Sequence, residues 1–235
     1  MAADIQRSTA KAPGQEGGVG AGLFLALEGV EGSGKSTQAK LLADHLKERG
    51  LEVVLAREPG STLLGERIRS LVLEEGALGI TARSELFLML AARAAFVEKV
   101  VLPAIAAGRV VIADRFELST LAYQGAGRGL PLVEVMDCNR LATGGVTPDA
   151  TILLDLPPEV GARRQIEAFK SRDRMEREGT EFHLRVAEGY ARFAARLPGL
   201  SRVDAMGTVE EVQGRILIAL GSRFPETFRW SGVTR

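Results

Sequence analysis

Apolar residues fall along this chain in two alternating patterns, short unbroken runs and longer stretches with helical spacing. Leu23 to Leu27 is an unbroken run, and residues 23–28 predict a first strand. Runs at 51–56, 109–113, 150–156 and 202–205 predict four more. Unbroken rather than alternating runs suit strands covered on both faces. Between them, residues 35–49 carry Ala39, Leu42 and Leu46 as a helical stripe that stops at Gly50. Ile68, Leu71 and Val72 mark a helix over 63–73. Thr81 is placed to cap a long helix running to about residue 107, bent near Pro103. Stretches 158–170, 180–196 and 208–220 are also helical in spacing. Strands alternating with helices predict an α/β fold, a five-stranded parallel sheet flanked by helices in three layers. Ligands of such sheets bind at the carboxyl ends of the strands.

The two ends lack this order. Residues 1–22 are rich in Ala, Gly, Ser and Gln without periodicity, which predicts a disordered extension, and 222–235 reads as a C-terminal tail, leaving 23–221 as the domain. Apolar content of 46% permits a sizeable core. Thirty basic and thirty acidic residues cancel, which argues against a nucleic acid as main partner. The single cysteine, Cys138, excludes an internal disulfide framework and suits a reducing compartment. His45 and His183 lie far apart, without metal-ligand spacing. No apolar run approaches the ~20 residues of a membrane span, so a cytoplasmic location is expected. The mildly apolar stretch 19–27 is a poor signal-peptide core, because cleavage there would destroy the first strand.

Chemistry enters directly after that strand. Gly29-Val30-Glu31-Gly32-Ser33-Gly34-Lys35-Ser36 fits G-x-x-x-x-G-K-[ST], the P-loop. Its glycines let backbone N–H groups turn inward around an anion, and the following helix start adds a favourable field. Lys35 can reach terminal phosphates, and Ser36 offers an oxygen to Mg²⁺. The expected fold is therefore the three-layer P-loop NTPase fold. Asp114, after four apolar residues, is the carboxylate that would hold Mg²⁺ at the end of the third strand, and Arg115 should face the same cleft. Arg57-Glu58-Pro59-Gly60 predicts a fixed turn at the mouth of that cleft. Arg163, Arg164, Arg172, Arg174 and Arg177 concentrate in about 163–179, either a solvated face or a short arginine-rich lid over a nucleotide.

Together these segments resemble the thymidylate kinase family, which phosphorylates dTMP with ATP. The matching pieces are 28–37 (Glu-Gly-Val-Glu-Gly-Ser-Gly-Lys-Ser-Thr), 57–62 (Arg-Glu-Pro-Gly-Ser-Thr), Asp114-Arg115-Phe116, 119–125 (Ser-Thr-Leu-Ala-Tyr-Gln-Gly), Gly127-Arg128-Gly129 and Asp173-Arg174-Met175-Glu176. The resemblance implies that Gly29, Val30, Glu31, Gly32, Ser33, Gly34, Lys35, Ser36 and Thr37 hold ATP. It implies that Arg115 and Arg69 clamp the acceptor phosphate, with Glu58 and Pro59 beside them. Arg93 would contact thymine, Thr120 and Gln124 would line the base pocket, and Tyr123 would lie against the sugar. Glu31 would assist Mg²⁺ or the sugar, and residues 204–208 would pass near the adenine. With an acidic residue at 31, the catalytic arginine is expected from the lid as Arg174, with Arg164 nearby, which resembles the bacterial arrangement. The family is usually homodimeric. Two positions depart from it. Met89 stands where the family commonly has a phenylalanine stacked on thymine, and Phe116 where it usually has Tyr or His. A kinase of a different nucleoside monophosphate and a non-catalytic nucleotide-binding module are the alternatives. A GTP switch should carry Asn-Lys-x-Asp, and the nearest segment, Asn139-Arg140-Leu141-Ala142, fails at two positions.

Overall fold

The computed structural model describes residues 22–73, 79–167, 173–195, 197 and 199–228. Residues 1–21 of the extension expected over 1–22, Arg172 of the lid and residues 229–235 lie outside these. Among the described residues, five strands, β1 (Leu23–Gly29), β2 (Val53–Arg57), β3 (Val110–Asp114), β4 (Ala150–Asp155) and β5 (Leu200–Asp204), form one parallel sheet in the order β2-β3-β1-β4-β5. The helices are α1 (Lys35–Glu48), α2 (Leu63–Leu73), α3 (Ala82–Phe96), α4 (Leu102–Ala106), α5 (Glu117–Thr120), α6 (Leu132–Thr143), α7 (Pro158–Glu167), α8 (Thr180–Ala194) and α9 (Val209–Arg223).

The central strand explains why the first apolar run has no polar face. All seven residues of β1 are buried. Leu23, Leu25 and Leu27 join the core with Leu42 and Leu46 of α1 and Ile216 and Leu220 of α9. Phe24 and Ala26 turn to the opposite face, against Phe96 and Phe116. There Phe24 and Phe116 meet edge to face, with ring centroids 5.0 Å apart. The register pairs Leu27 with Asp114, Asp114 with Arg57 and Gly29 with Leu154, so the chemically rich segments leave the sheet at one edge.

Several element bounds shift from the sequence reading, β5 among them (Leu200–Asp204 rather than 202–205), and four differences have identifiable reasons. The second strand starts at Val53, not 51, because the N–H groups of Gly50 and Leu51 return to α1 carbonyls at 2.9 and 3.1 Å and close that helix. Thr81 does cap α3, accepting from the Ser84 N–H. The expected long helix is interrupted ahead of Pro103 rather than at it. Residues Val97–Val101 widen into π-type winding before α4, the stretch whose carbonyls a proline cannot meet and whose ladder its ring would crowd. Residues 117–143, left without elements by the periodicity, hold α5, a second wide-wound stretch (Leu121–Gly127) and α6. At the C-terminus α9 continues past 220 to Arg223, and Phe228 folds back into the core at 1% exposure.

Candidate active site

Lys35 opens α1, directly after the tight turn of the glycine-rich loop. Gly32 (φ 71°) adopts a conformation that side chains disfavour. It also lies so close to α7 that a Cβ would fall 2.2 Å from the Gly161 carbonyl oxygen. The contact is reciprocal, since a Cβ on Gly161 would fall 2.2 Å from the Glu31 carbonyl oxygen. Two glycines therefore lock the loop against α7. Periodicity gives no sign of this, because Gly161 reads only as a weak point in a helix. Gly161→Ala should displace the loop and raise KM for ATP about tenfold or more while leaving KM for the acceptor nearly unchanged, as steady-state kinetics would show.

Within the loop, Lys35 Nζ donates to the carbonyls of Gly29 (3.0 Å) and Val30 (2.8 Å) and to Ser33 Oγ (3.4 Å). Burial, together with the neighbouring Arg115, pushes its ammonium down to about 8. An anion seated in the cradle would reverse that shift. Ser36 Oγ donates to Asp114 Oδ2, across the β1–β3 register. Ser36 and Thr37 are exposed to the cleft, and Val30 packs between the cores on either side.

Arg115 follows β3 with a left-handed backbone (φ 76°). Its guanidinium donates to Glu31 Oε1 (2.6 Å), Ser119 Oγ (3.1 Å), Tyr190 Oη (3.0 Å) and Tyr123 Oη (3.2 Å). It also lies 5.0 Å above the Tyr123 ring. Tyr123 donates its hydroxyl to the same Glu31 oxygen at 2.6 Å. Burial pushes the Glu31 carboxyl up, but Arg115, Lys35 and the Tyr123 hydroxyl outweigh it and hold it at about 2. Beneath this cluster, Glu28 fixes the chain that carries Arg115. Its carboxylate accepts from Phe116 N (2.8 Å), Ser119 N (3.1 Å) and Ser119 Oγ (2.6 Å).

The far side of the cleft is built on α3. Arg93, 4% exposed, donates to Glu58 Oε2 (2.8 Å), Thr120 Oγ1 (2.7 Å), the Phe116 carbonyl (2.9 Å) and Asn139 Oδ1. Asn139 was not legible as a site residue in the sequence. Met89 lines the cleft one turn before Arg93, whereas Phe87 is exposed. The Phe116 ring, where the family usually has Tyr or His, is wholly buried in the core, 5.1 Å from the Arg93 guanidinium, and its carbonyl accepts from Arg93. Arg69 donates to the Pro59 carbonyl at 3.2 Å. Gln124 donates to Glu85 at 2.9 Å.

Of the two lid arginines expected at the nucleotide, Arg164 lines the cleft, and it donates to the Ala205 carbonyl at 3.2 Å. Arg174 does not line it. Its guanidinium binds Glu85 and the Val72 carbonyl (2.7 Å), while Met175 lines the cleft beside it. The expected catalytic arginine thus sits on the α2–α3 side in this conformation, drawn there by a buried carboxylate. Arg163 is exposed, 4.0 Å from Glu167 in a surface pair.

The whole forms one cleft of about 540 Å³, with the loop and Lys35 at one end and Met89, Arg93, Thr120 and Gln124 at the other. A family model for thymidylate kinase matches residues 27–216. The chain belongs to the thymidylate kinase family. It is 47% identical over 204 residues to a thymidylate kinase of Synechococcus sp. (strain JA-2-3B'a(2-13)), covering 86% of this chain and 96% of that one. It is 42% identical over 214 residues to one from Desulfosudis oleivorans (strain DSM 6200 / JCM 39069 / Hxd3), covering 88% of this chain and 100% of the relative. The crystal structure of thymidylate kinase from Ehrlichia chaffeensis superposes with a TM-score of 0.68 at 31% identity, over 85% of this chain and 99% of the other. As a member of the thymidylate kinase family, the chain has the P-loop NTPase fold and is a nucleoside monophosphate kinase, a phosphotransferase.

A divalent ion must be considered in such a kinase. Among the described residues no group of three His, Cys, Asp or Glu converges on one point. A hard cation shared with nucleotide phosphates needs only one or two protein oxygens, and Ser36 with Asp114 supplies them. Glu31, expected as a further metal oxygen, is committed to Arg115 and Tyr123. No described helix is long and apolar enough to cross a membrane.

Proposed function

We propose that this chain transfers the γ-phosphoryl group of ATP to dTMP, forming dTDP and ADP. The observation that carries this reading is one cleft of about 540 Å³ joining the glycine-rich loop and Lys35 to a wall of Met89, Arg93, Thr120 and Gln124. The acceptor is a phosphate oxygen, already ionised near neutral pH, so the protein need only align it and neutralise charge in the transition state. Lys35 binds the terminal phosphates of ATP, within the loop from Gly29 to Thr37. Arg115 and Arg69 hold the acceptor phosphate, with Pro59 fixing Arg69. Glu31 acts by orienting Arg115. Arg164 serves the ATP side of the lid, and Arg174 reaches the phosphates only after leaving Glu85. Ser36 and Asp114 would hold Mg²⁺, which would supply further charge neutralisation. Thr120, Gln124, Arg93 and Met89 receive the base, and Tyr123 lies against the sugar.

Met89 in place of an aromatic ring is the one observation favouring a different monophosphate. An assay of ADP release with Mg²⁺-ATP decides between them, comparing dTMP with dUMP, UMP, CMP, AMP and GMP. Strong turnover with dTMP and little with UMP is expected. Turnover with another monophosphate but not dTMP would overturn the substrate and keep the reaction class. ATP binding without turnover of any of them would favour a binding module.

Glu58 adds a pH dependence. Burial raises its carboxyl to about 7 against the pull of Arg93. Below that pH the carboxyl is neutral and holds Arg93 less firmly. The KM for dTMP should therefore fall as pH rises through about 7, and Glu58→Gln should flatten that component while leaving the substrate's own ionisation. Because the folded value lies above the usual 4.5, this group favours the folded chain most at low pH, and the contribution fades between 4.5 and about 7.

The protein acts as a homodimer in the cytoplasm on this reading. Helices α2, α3 and α6 pack together and leave Leu64, Leu71, Phe87, Val133 and Met136 exposed. Sedimentation should give a dimer, and Phe87→Glu should shift it toward the monomer.

A further inference from the structure

We propose that Glu85 is a positioning residue that fixes which end of the Gln124 side-chain amide faces the acceptor base, so that a base with a ring N–H is selected over one with a bare ring nitrogen. This rests on the reading of the cleft as a pyrimidine monophosphate site.

Glu85 lies in the first turn of α3 with no exposed surface. Its Oε1 accepts from Gln124 Nε2 (2.9 Å) and Arg128 Nε (3.1 Å). Its Oε2 accepts from Arg128 (3.0 Å) and from Arg174. Burial alone would favour the neutral acid, but the bonds from Arg128, Arg174 and Gln124 prevail and lower its pKa below the usual value. An ionised carboxylate has no proton to donate. The Gln124 amide can therefore meet it only through its NH₂ group, and the usual freedom to exchange the two ends of an amide is removed. The carbonyl oxygen takes the other side. Gln124 is 2% exposed and lines the cleft beside Thr120 and Met89. The cleft thus receives an acceptor with a fixed direction. A ring N–H satisfies it, whereas a ring nitrogen with a lone pair leaves two acceptors facing one another, the kind of mismatch that polar pockets reject strongly.

The test compares kcat/KM for dTMP with that for 5-methyl-dCMP. The two share methyl group, sugar and phosphate, and differ at the ring N–H and the adjacent exocyclic group. Four forms of the full chain are needed: wild type, Glu85→Gln, Gln124→Ala and the double variant. A contribution of Arg93 at the exocyclic group, or of Arg174 at the phosphates, is common to the forms and cancels when ratios are compared. In Glu85→Gln the ratio should fall at least about tenfold, because a neutral amide accepts or donates and lets Gln124 turn. The double variant should match Gln124→Ala in ratio, since Glu85 acts through Gln124. Equal losses for both substrates, with the ratio unchanged, would overturn the inference and leave Glu85 as a structural anchor only. Additive effects in the double variant would overturn it too. A wild-type chain inactive on dTMP would defeat the functional reading as well, and would be recognised before any variant is made. Should Glu85→Gln fail to fold, the wild type still answers. The Gln124 NH₂ resonances, assigned by their loss in Gln124→Ala, should be protected from solvent exchange in the free protein and stay so with dTMP. Rapid exchange that slows only on adding dTMP would overturn the proposal.

Discussion

Arg115→Ala is expected to lower kcat/KM for dTMP by about 10³-fold or more and to destabilise the fold at the same time. The double effect follows from where the guanidinium sits. It is a proposed clamp on the acceptor phosphate, and it is also the cation that Glu31 requires, at 2.6 Å. Removing one member of a largely buried pair leaves the other charge uncompensated, at a cost of about 3–5 kcal/mol. The pH dependence carries the same information. With its carboxyl held at about 2 rather than the usual 4.5, Glu31 contributes stability that is present above the usual value and lost as pH falls toward 2. Arg115→Ala should weaken that acid-range dependence, with Lys35 and the Tyr123 hydroxyl still favouring the carboxylate. Adding Glu31→Gln should recover much of the stability but little of the activity. Denaturant unfolding at several pH values, set beside steady-state kinetics, would separate the two roles. An Arg115→Ala chain with near-native kcat/KM would remove Arg115 from the reaction.

Lys35→Met should produce the opposite combination, a loss of kcat of about 10²–10³-fold with stability kept or increased. Lys35 is 6% exposed, and its ammonium is bonded mainly to backbone carbonyls of its own loop. Burial pushes it down to about 8, so the fold carries this charge at a cost. A methionine of similar length removes the cost and leaves apolar packing beside α1. A thermal midpoint at or above the parent value, with turnover nearly gone, is the expected pair of results. A large drop in stability would show that Lys35 is needed to hold the loop in shape.

How much of this was legible beforehand follows a physical divide. Backbone chemistry reads well. The buried runs gave the five strands, the glycine-rich loop and Asp114 declared themselves by residue type, and the register then brought Ser36 to Asp114. The stretch between Asp114 and Ala150 did not read as helix, because Ser119, Thr120 and Gln124 are polar yet buried toward the cleft. They occupy positions where a helix signal needs apolar residues. Glu85 and Asn139 were invisible for a related reason. Each sits on a helix where a polar residue ordinarily means solvent, and each is instead satisfied by a side chain distant in sequence. Arg174 was recognised by its motif, but nothing in the local sequence announces Glu85 as its partner in this conformation. Phe228 gave no signal because it lies beyond the end of α9, outside any periodic stretch.

The strand that carries the phosphate cradle is the central one of the five, enclosed on both sides by other strands and on both faces by separate cores. Amide protons of such a strand exchange only when the whole domain opens, whereas lids and surface helices open locally at far smaller cost. The cradle therefore cannot soften by degrees. During a catalytic cycle it serves as the stationary anvil together with the start of α7 that is locked to it, and adjustment to an incoming nucleotide has to be made by the lid and the α2–α3 wall.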